Sequence, residues 1–325
     1  MNDKLPRFAR PRTEGEAPLV ALGTMNFGKR TPPKEASLIV ARALERGVTV
    51  FDTANAYNDG ESERILGRAL GRAAANVCIA TKVGFGRVAG RTEGLSGERV
   101  RAAIDESLRR LGVERIDLYY WHVPDEHTAI EETLAATAEL LTSGKIGQFG
   151  VSNYASWQIL EIMVACDRAG LARPVVGQQL YNLLIRQLDI EYFRFAGRYA
   201  LHTTVYNPLA GGLLTGRYRA GDPIAPGSRF DKNRLYQGRY WSERMLVLAG
   251  EYEALAREAG LGLTELSYAW LAGSAGVDSI LVGPATQAQL DQALDAVALE
   301  LAPEVRARID VIHRDFLGTA THYAR

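Results

Sequence analysis

Four side chains in the first 122 residues have the types and spacing to move a proton: Asp52, Tyr57, Lys82 and His122. Asp52 stands near the end of the apolar run VTVFDTA (48–54), Lys82 near the end of VCIATKV (77–83), and His122 closes IDLYYWH (116–122). Tyr57 follows Asp52 by five positions in NAYNDGES. If the runs are strands, period-two alternation puts Asp52 on a face with Val50, Lys82 with Cys78 and Ala80, and His122 with Leu118 and Tyr120. A lysine and an aspartate turned into an apolar interior need each other, because either alone is a costly buried charge. Taken singly, each group has a bland reading: a structural ion pair, a satisfied histidine, a packed tyrosine. Together they solve one problem. Hydride addition to a carbonyl carbon makes an alkoxide that needs a proton. A phenol with an ordinary pKa of about 10 can give it, and better when a nearby ammonium lowers that value. The aspartate keeps the ammonium charged and aimed, and the histidine can donate a hydrogen bond to the developing oxyanion. A metal is not expected, since His122, His127, His202, His313, His322, Cys78 and Cys166 show no ligand spacing.

These residues need a frame that brings several strand ends to one mouth. Eight short runs alternate with helical patterns: 19–23, 48–54, 77–83, 116–122, 146–153, 175–182, 201–208 and 278–283. Helix candidates cover 34–47, 61–71, 97–112, 128–144, 155–170, 186–198 and 285–297. In 97–112, Val100, Ile104, Leu108 and Leu111 fall on one stripe, with Gly112 as the stop. Thr128 with Glu131 three positions on reads as a capping box. Strand–helix alternation with long crossovers means a parallel sheet, and eight such units across 1–325 predict one domain, an α/β (β/α)8 TIM barrel. The rival, an open doubly wound sheet, wants G-x-G-x-x-G after the first strand, whereas the chain has GTMNFGKR. Between the seventh and eighth strands lie a Gly/Pro/Arg-rich loop (211–239) and two extra helix candidates, 242–259 and 264–273, and a closing helix follows at 303–316. A loop that long after a barrel strand is expected to be functional.

Composition narrows the partners. Lys+Arg and Asp+Glu are balanced at 38 each, which argues against nucleic acid or an anionic membrane. Two cysteines in 325 residues imply no disulfide framework, and the polar start MNDKLPRFARPRTEGEAP has no apolar signal run. No run approaches the length of a membrane span. A cytoplasmic protein acting on small molecules is expected, with a homo-oligomer left open.

On FDTANAYNDGESERILG (51–67), GVSNYASW (150–157) and YNPLAGGLLTGRY (206–218), the chain resembles the aldo-keto reductase superfamily over nearly its whole length. SNYASW and YNPLAGGLLTG look like the aflatoxin aldehyde reductase group, and the voltage-gated potassium channel β subunits are a more distant likeness. The resemblance implies the Asp52, Tyr57, Lys82 and His122 tetrad. It also implies that Ser152, Asn153 and Gln178 hold a nicotinamide carboxamide and that Tyr206 stacks on its ring. Asn207, Pro208, Leu209, Ala210, Gly211, Gly212 and Leu214 would run along the pyrophosphate. After the eighth strand, GPATQAQLDQAL keeps Gly283 and Gln289, but Ala285, Thr286 and Ala293 replace the Ser, Arg or Ser, and Asn that accompany a 2′-phosphate. Thr286 remains polar, and Arg217 and Arg229 in the preceding loop could supply the missing charge. NADPH is therefore expected, with NADH not excluded.

The substrate pocket is expected from Met25, Phe27, Trp121 and Trp241 beside Tyr57, with Tyr323 from the tail, an apolar and aromatic lining suited to an aldehyde or ketone. The leading expectation is an NAD(P)H-dependent carbonyl reductase with Tyr57 as proton donor. Alternatives are a cofactor-binding regulatory subunit resembling the channel β subunits, or an alcohol dehydrogenase in a biosynthetic pathway.

Overall fold

The computed structural model describes residue 8 and residues 10–88 and 90–319. Eight strands close a parallel barrel: β1 (Leu19–Gly23), β2 (Val50–Asp52), β3 (Cys78–Val83), β6 (Ile116–Trp121), β7 (Ile146–Ser152), β8 (Val176–Leu180), β9 (His202–Tyr206) and β10 (Ser279–Val282). The ring runs β1, β10, β9, β8, β7, β6, β3, β2, so β1 pairs with β10 on one side and β2 on the other. A two-stranded antiparallel hairpin, β4 (Arg87–Val88) and β5 (Arg91–Thr92), stands outside the barrel after β3. The sequence patterns gave no sign of it, because strands of two residues are too short to show a period.

The crossovers are α1 (Pro33–Glu45), α2 (Glu61–Leu70), α3 (Gly97–Leu111), α4 (Ile130–Thr142), α5 (Ser156–Ala169) and α6 (Tyr192–Arg198). α10 (Gln287–Val297) and α11 (Pro303–Leu317) follow β10. Between β9 and β10 lie α7 (Arg234–Tyr240), α8 (Glu243–Glu258) and α9 (Leu263–Ala272). The long segment after the seventh barrel strand and its extra helices are thus present, but the expected loop 211–239 already contains most of α7, started by Asn233 accepting from Tyr236 N. The stretch 186–198 divides into a tight turn, Gln187–Asp189, and the short α6. The capping box at Thr128 does not form. α4 starts at Ile130 after Ala129, and the Thr128 hydroxyl donates instead to Asp125 at 2.7 Å. α3 behaves as its stripe requires: Val100, Ile104 and Leu111 are buried, and Gly112 takes the left-handed turn at φ 68°.

Alternation along the strands sorts two apolar layers. Ala21, Val50, Cys78, Ala80, Leu118, Tyr120 and Val176 cluster in the barrel interior, where Phe8 packs among them. Phe8 lies 4.8 Å from the ring of His202, the first residue of β9, so it closes the end of the barrel opposite the mouth. Phe51, Ile79, Tyr119, Trp121, Phe149 and Val151 point the other way and join the core under the helices. Among the described residues, no helix is long and apolar enough to cross a membrane.

α2 packs tightly on the end of α3 at Gly67, where a Cβ would sit 2.2 Å from the backbone carbonyl oxygen of Leu111. Gly67→Ala should gain about 1 kcal/mol of helix propensity, yet a backbone oxygen cannot rotate away, and overpacking costs about 1–3 kcal/mol. The expected outcome is a net loss of stability in urea unfolding; an unchanged or raised midpoint would show that the two helices can move apart freely.

Candidate active site

Three strand ends and one loop place the tetrad. Lys82, fully buried at the end of β3, donates to Asp52 Oδ1 at the end of β2 and to the Thr53 carbonyl at 2.8 Å. Gln178, on β8 across the barrel, donates its Nε2 to the other oxygen, Asp52 Oδ2, at 2.9 Å. The carboxylate is therefore held from both sides, as a buried charge must be. The Lys82 ammonium lies 5.2 Å from the centre of the Tyr57 ring and 5.6 Å from that of Tyr120. The Tyr57 and His122 rings meet edge to face at 5.8 Å.

Local sequence explains how Tyr57 comes to stand over the pair. Asn58, Asp59 and Gly60 take positive φ in succession (50°, 54° and 80°), which turns the chain sharply into α2. Asn58 Nδ2 then donates to the Phe27 carbonyl and fastens this turn to the loop after β1. Asparagine and aspartate tolerate the left-handed region better than most residues, so NDG suits the turn.

The electrostatics refine the acid–base expectation. Burial first, then the Lys82 ammonium, holds the His122 imidazole well below its ordinary pKa, so the ring is neutral at neutral pH. Burial lowers the Lys82 pKa, and Asp52 opposes that. The Tyr57 phenol is not lowered. Burial, with Asp52, Tyr236 and Tyr206 nearby, pushes its pKa well above the ordinary value. The largest cause is the loss of water around the ring, and the Asp52 carboxylate adds to it by disfavouring a second negative charge nearby. Tyr57 consequently stays protonated throughout the neutral range.

The residues expected around a nicotinamide fall into two groups. Ser152, Asn153 and Tyr206 form one chain: Asn153 Nδ2 donates to Ser152 Oγ at 3.1 Å and the Tyr206 hydroxyl donates to Asn153 Oδ1 at 2.6 Å. Gln178 joins the tetrad instead, through Asp52. Asn207, Ala210, Gly211 and Gly212 all have positive φ, while Pro208, Ala210 and Leu214 are buried and Leu209 is half-buried. A Cβ on Gly211 would lie 2.8 Å from the Tyr236 ring, which explains a glycine there. After β10, Thr286 and Gln289 cap α10: Gln289 N donates to Thr286 Oγ1, and Ala285 N to Gln289 Oε1. Gly283 is exposed. Arg229 reaches this place. It donates to Asn26 Oδ1, and Asn26 Nδ2 donates to the Gly283 carbonyl at 3.0 Å. Arg217 lies exposed on the outer part of the same segment.

The expected substrate lining needs correction. Trp121 is 2 % exposed and turned away from the mouth, packed on Phe149 at 5.5 Å with its Nε1 donating to Thr137 of α4. Its parity along β6 is opposite to that of Tyr120 and His122. Phe27 is fully buried in the core under the helices. Met25 is half-buried, and Trp241 packs on Phe230 at 4.8 Å and Tyr218 at 5.2 Å. Tyr323 lies outside the described residues. What the sequence reading missed is Phe85, 50 % exposed, with its ring 5.2 Å from that of His122. Its signal was present, a lone aromatic between two glycines just after the Lys82 strand.

A barrel whose mouth gathers a buried Asp–Lys pair, a tyrosine and a histidine defines a class of carbonyl-reducing oxidoreductases. The sequence model of the Aldo/keto reductase family matches residues 19–314, and the chain belongs to that family. It is 38 % identical to the aflatoxin B1 aldehyde reductase member 2 of Rattus norvegicus, over 90 % of this chain and 84 % of that protein. It is 34 % identical to the Homo sapiens aldo-keto reductase family 7 member A3, over 91 % and 93 %. A probable voltage-gated potassium channel subunit beta of Oryza sativa is 32 % identical over 89 % and 90 %. The protein is an oxidoreductase acting on carbonyl groups. Among the described residues, no group of three or more His, Cys, Asp or Glu could hold a metal ion.

Because the folded-state pKa of His122 is depressed, the unfolded chain takes up a proton near pH 6.5 and the folded chain does so only at lower pH. The stability this group contributes is present above that value and is lost as pH falls below it. The urea midpoint should therefore drop less between pH 7 and pH 5.5 for His122→Gln than for the wild type. Equal drops would mean the imidazole titrates alike in both states.

Proposed function

We propose that the protein reduces an aldehyde or ketone at the expense of NADPH, with Tyr57 giving the proton. The observation that carries this reading is the Lys82–Asp52 pair, buried at the mouth between Tyr57 and Gln178. The site fits a nicotinamide dinucleotide. The Ser152–Asn153–Tyr206 chain offers amide and hydroxyl groups beside a flat ring, and the left-handed run at Gly211–Gly212 lets a diphosphate approach the backbone. When bound, the dihydronicotinamide supplies hydride to the carbonyl carbon. Tyr57 donates its phenolic proton to the oxygen, His122 steadies that oxygen with a hydrogen bond, and Lys82, held by Asp52, stabilises the phenolate left behind. Gln178 links the two halves of the site, since its Nε2 is committed to Asp52 while the residue itself pairs with Ser152 across β7 and β8.

The choice of NADPH rests on Arg229 and Arg30. Burial, then the neighbouring Arg30, lowers the Arg229 pKa, with Tyr236 opposing. Arg229 donates to Asn26 and Arg30 to the Gly227 carbonyl, and neither forms an ion pair with a carboxylate among the described residues. Two adjacent cations with only neutral partners, beside Gly283 and the start of α10, favour a dianion such as a 2′-phosphate.

Two measurements test these statements. Tyr57→Phe should leave NADPH binding nearly intact and lower turnover of an aldehyde panel by roughly 10²–10⁴. A wild type that binds NADPH yet consumes none with any aldehyde or ketone would instead favour the regulatory reading suggested by the channel-subunit relatives. In fluorescence titrations, Arg229→Ala should weaken NADPH by roughly 10–150-fold and leave NADH alone, with a smaller effect at high salt. Equal dissociation constants for the two cofactors in the wild type would remove the case for NADPH.

A further inference from the structure

Phe85 is half-exposed at the mouth, and an exposed aromatic ring on a short loop needs something to hold it. The loop between β3 and β4 is anchored by one carboxylate. Glu93, just after β5, has a side chain only 2 % exposed. Its Oε1 accepts from the amides of Gly84 at 2.8 Å and Gly86 at 2.9 Å, the residues on either side of Phe85. Both of its oxygens accept from Asn55 Nδ2 at 3.0 Å, and Oε2 accepts from Arg99 Nε at 2.9 Å. The backbone closes the same clamp, with Glu93 N donating to the Gly86 carbonyl at 2.9 Å.

The clamp is specific in its demands. A Cβ on Gly86 would lie 2.8 Å from Glu93 Oε1, so the carboxylate fits because the residue is glycine. Gly84 takes φ 111°, a conformation that other residues rarely adopt. The buried charge of Glu93 is balanced by Arg99, which also pairs with Glu106; Glu106 pairs with Arg110, and Arg110 with the fully buried Glu63 of α2. Glu63 in turn accepts from Thr81, next to Lys82 in β3. Asn55 sits between Asp52 and Tyr57, so a single side chain ties the segment carrying the proton donor to the loop carrying Phe85.

The geometry points to Phe85 as a specificity-determining residue whose ring, set beside His122, forms one wall for the body of the substrate, and to Glu93 as the residue that positions it. The preferred substrate class is a carbonyl joined to a flat aromatic or conjugated group, because an offset or edge-on ring contact rewards a planar partner and not a short alkyl chain. This inference rests on the carbonyl-reductase reading above.

The test compares kcat/KM for benzaldehyde and for butanal in four proteins: wild type, Phe85→Ala, Glu93→Gln and the double variant. The benzaldehyde-to-butanal ratio should fall about tenfold in Phe85→Ala, carried by KM more than by kcat. Glu93→Gln should lower the ratio as well, since whichever way the amide lies its NH2 meets donors, Arg99 Nε on one side or the Gly84 and Gly86 amides on the other. In the double variant the ratio should fall no further than in Phe85→Ala, because Glu93 acts through the ring. If Glu93→Gln does not fold, Gly86→Ala replaces it, as its Cβ displaces the same carboxylate. A ratio within about twofold of wild type in Phe85→Ala overturns the inference, as does a Glu93→Gln effect that multiplies in full with that of Phe85→Ala. A wild type that reduces neither aldehyde overturns the carbonyl-reductase reading itself, an outcome distinct from an active wild type with an unmoved ratio.

Discussion

The constraint on which the mouth of this barrel depends is the solvation of one ammonium. Lys82 is fully buried, and its charge is supported by Asp52 and the Thr53 carbonyl, with the rings of Tyr57 and Tyr120 beside it. Ion pairs taken out of water survive only when the remaining hydrogen-bonding capacity of both partners is filled. Here the filling comes from separate parts of the chain: β2 gives Asp52, the following loop gives the Thr53 carbonyl, and β8, on the far side of the ring, gives Gln178. An open sheet would leave β8 far from β2. Closing the barrel brings them face to face, so the fold is a condition for holding the charge.

That pair also decides what Tyr57 is. An isolated ammonium would favour the phenolate, whereas an ammonium already matched by a carboxylate leaves burial as the dominant influence. The phenol is then a stored proton.

Much of this was legible in the sequence. The strand–helix period and the closeness of Asp52, Lys82 and His122 to strand ends were enough to place the tetrad, because both signals depend on local spacing. The failures have physical causes. Trp121 was read as substrate lining from its type and neighbourhood, although parity with His122 already turned it outward. Thr128 carried a capping signature that Asp125 outcompeted for its hydroxyl. The direction of the Tyr57 shift depends first on how completely the folded chain buries the phenol, which no local pattern records. The link from Arg229 through Asn26 to Gly283 spans some two hundred residues and was visible only as a missing cation in GPATQAQLDQAL.

The rim shows the same logic with less burial. Glu93 organises a loop of two glycines and one aromatic by giving its carboxylate to backbone amides, and it is itself kept charged by Arg99. The alternating series Glu93, Arg99, Glu106, Arg110, Glu63 ends at Thr81, one residue from Lys82. Isolated surface pairs contribute little to stability, but a series whose end members are almost fully buried resists rearrangement at every link. The floor of the mouth and its wall are therefore braced through one network outside the barrel, so a change in the wall is felt at the strand that carries Lys82.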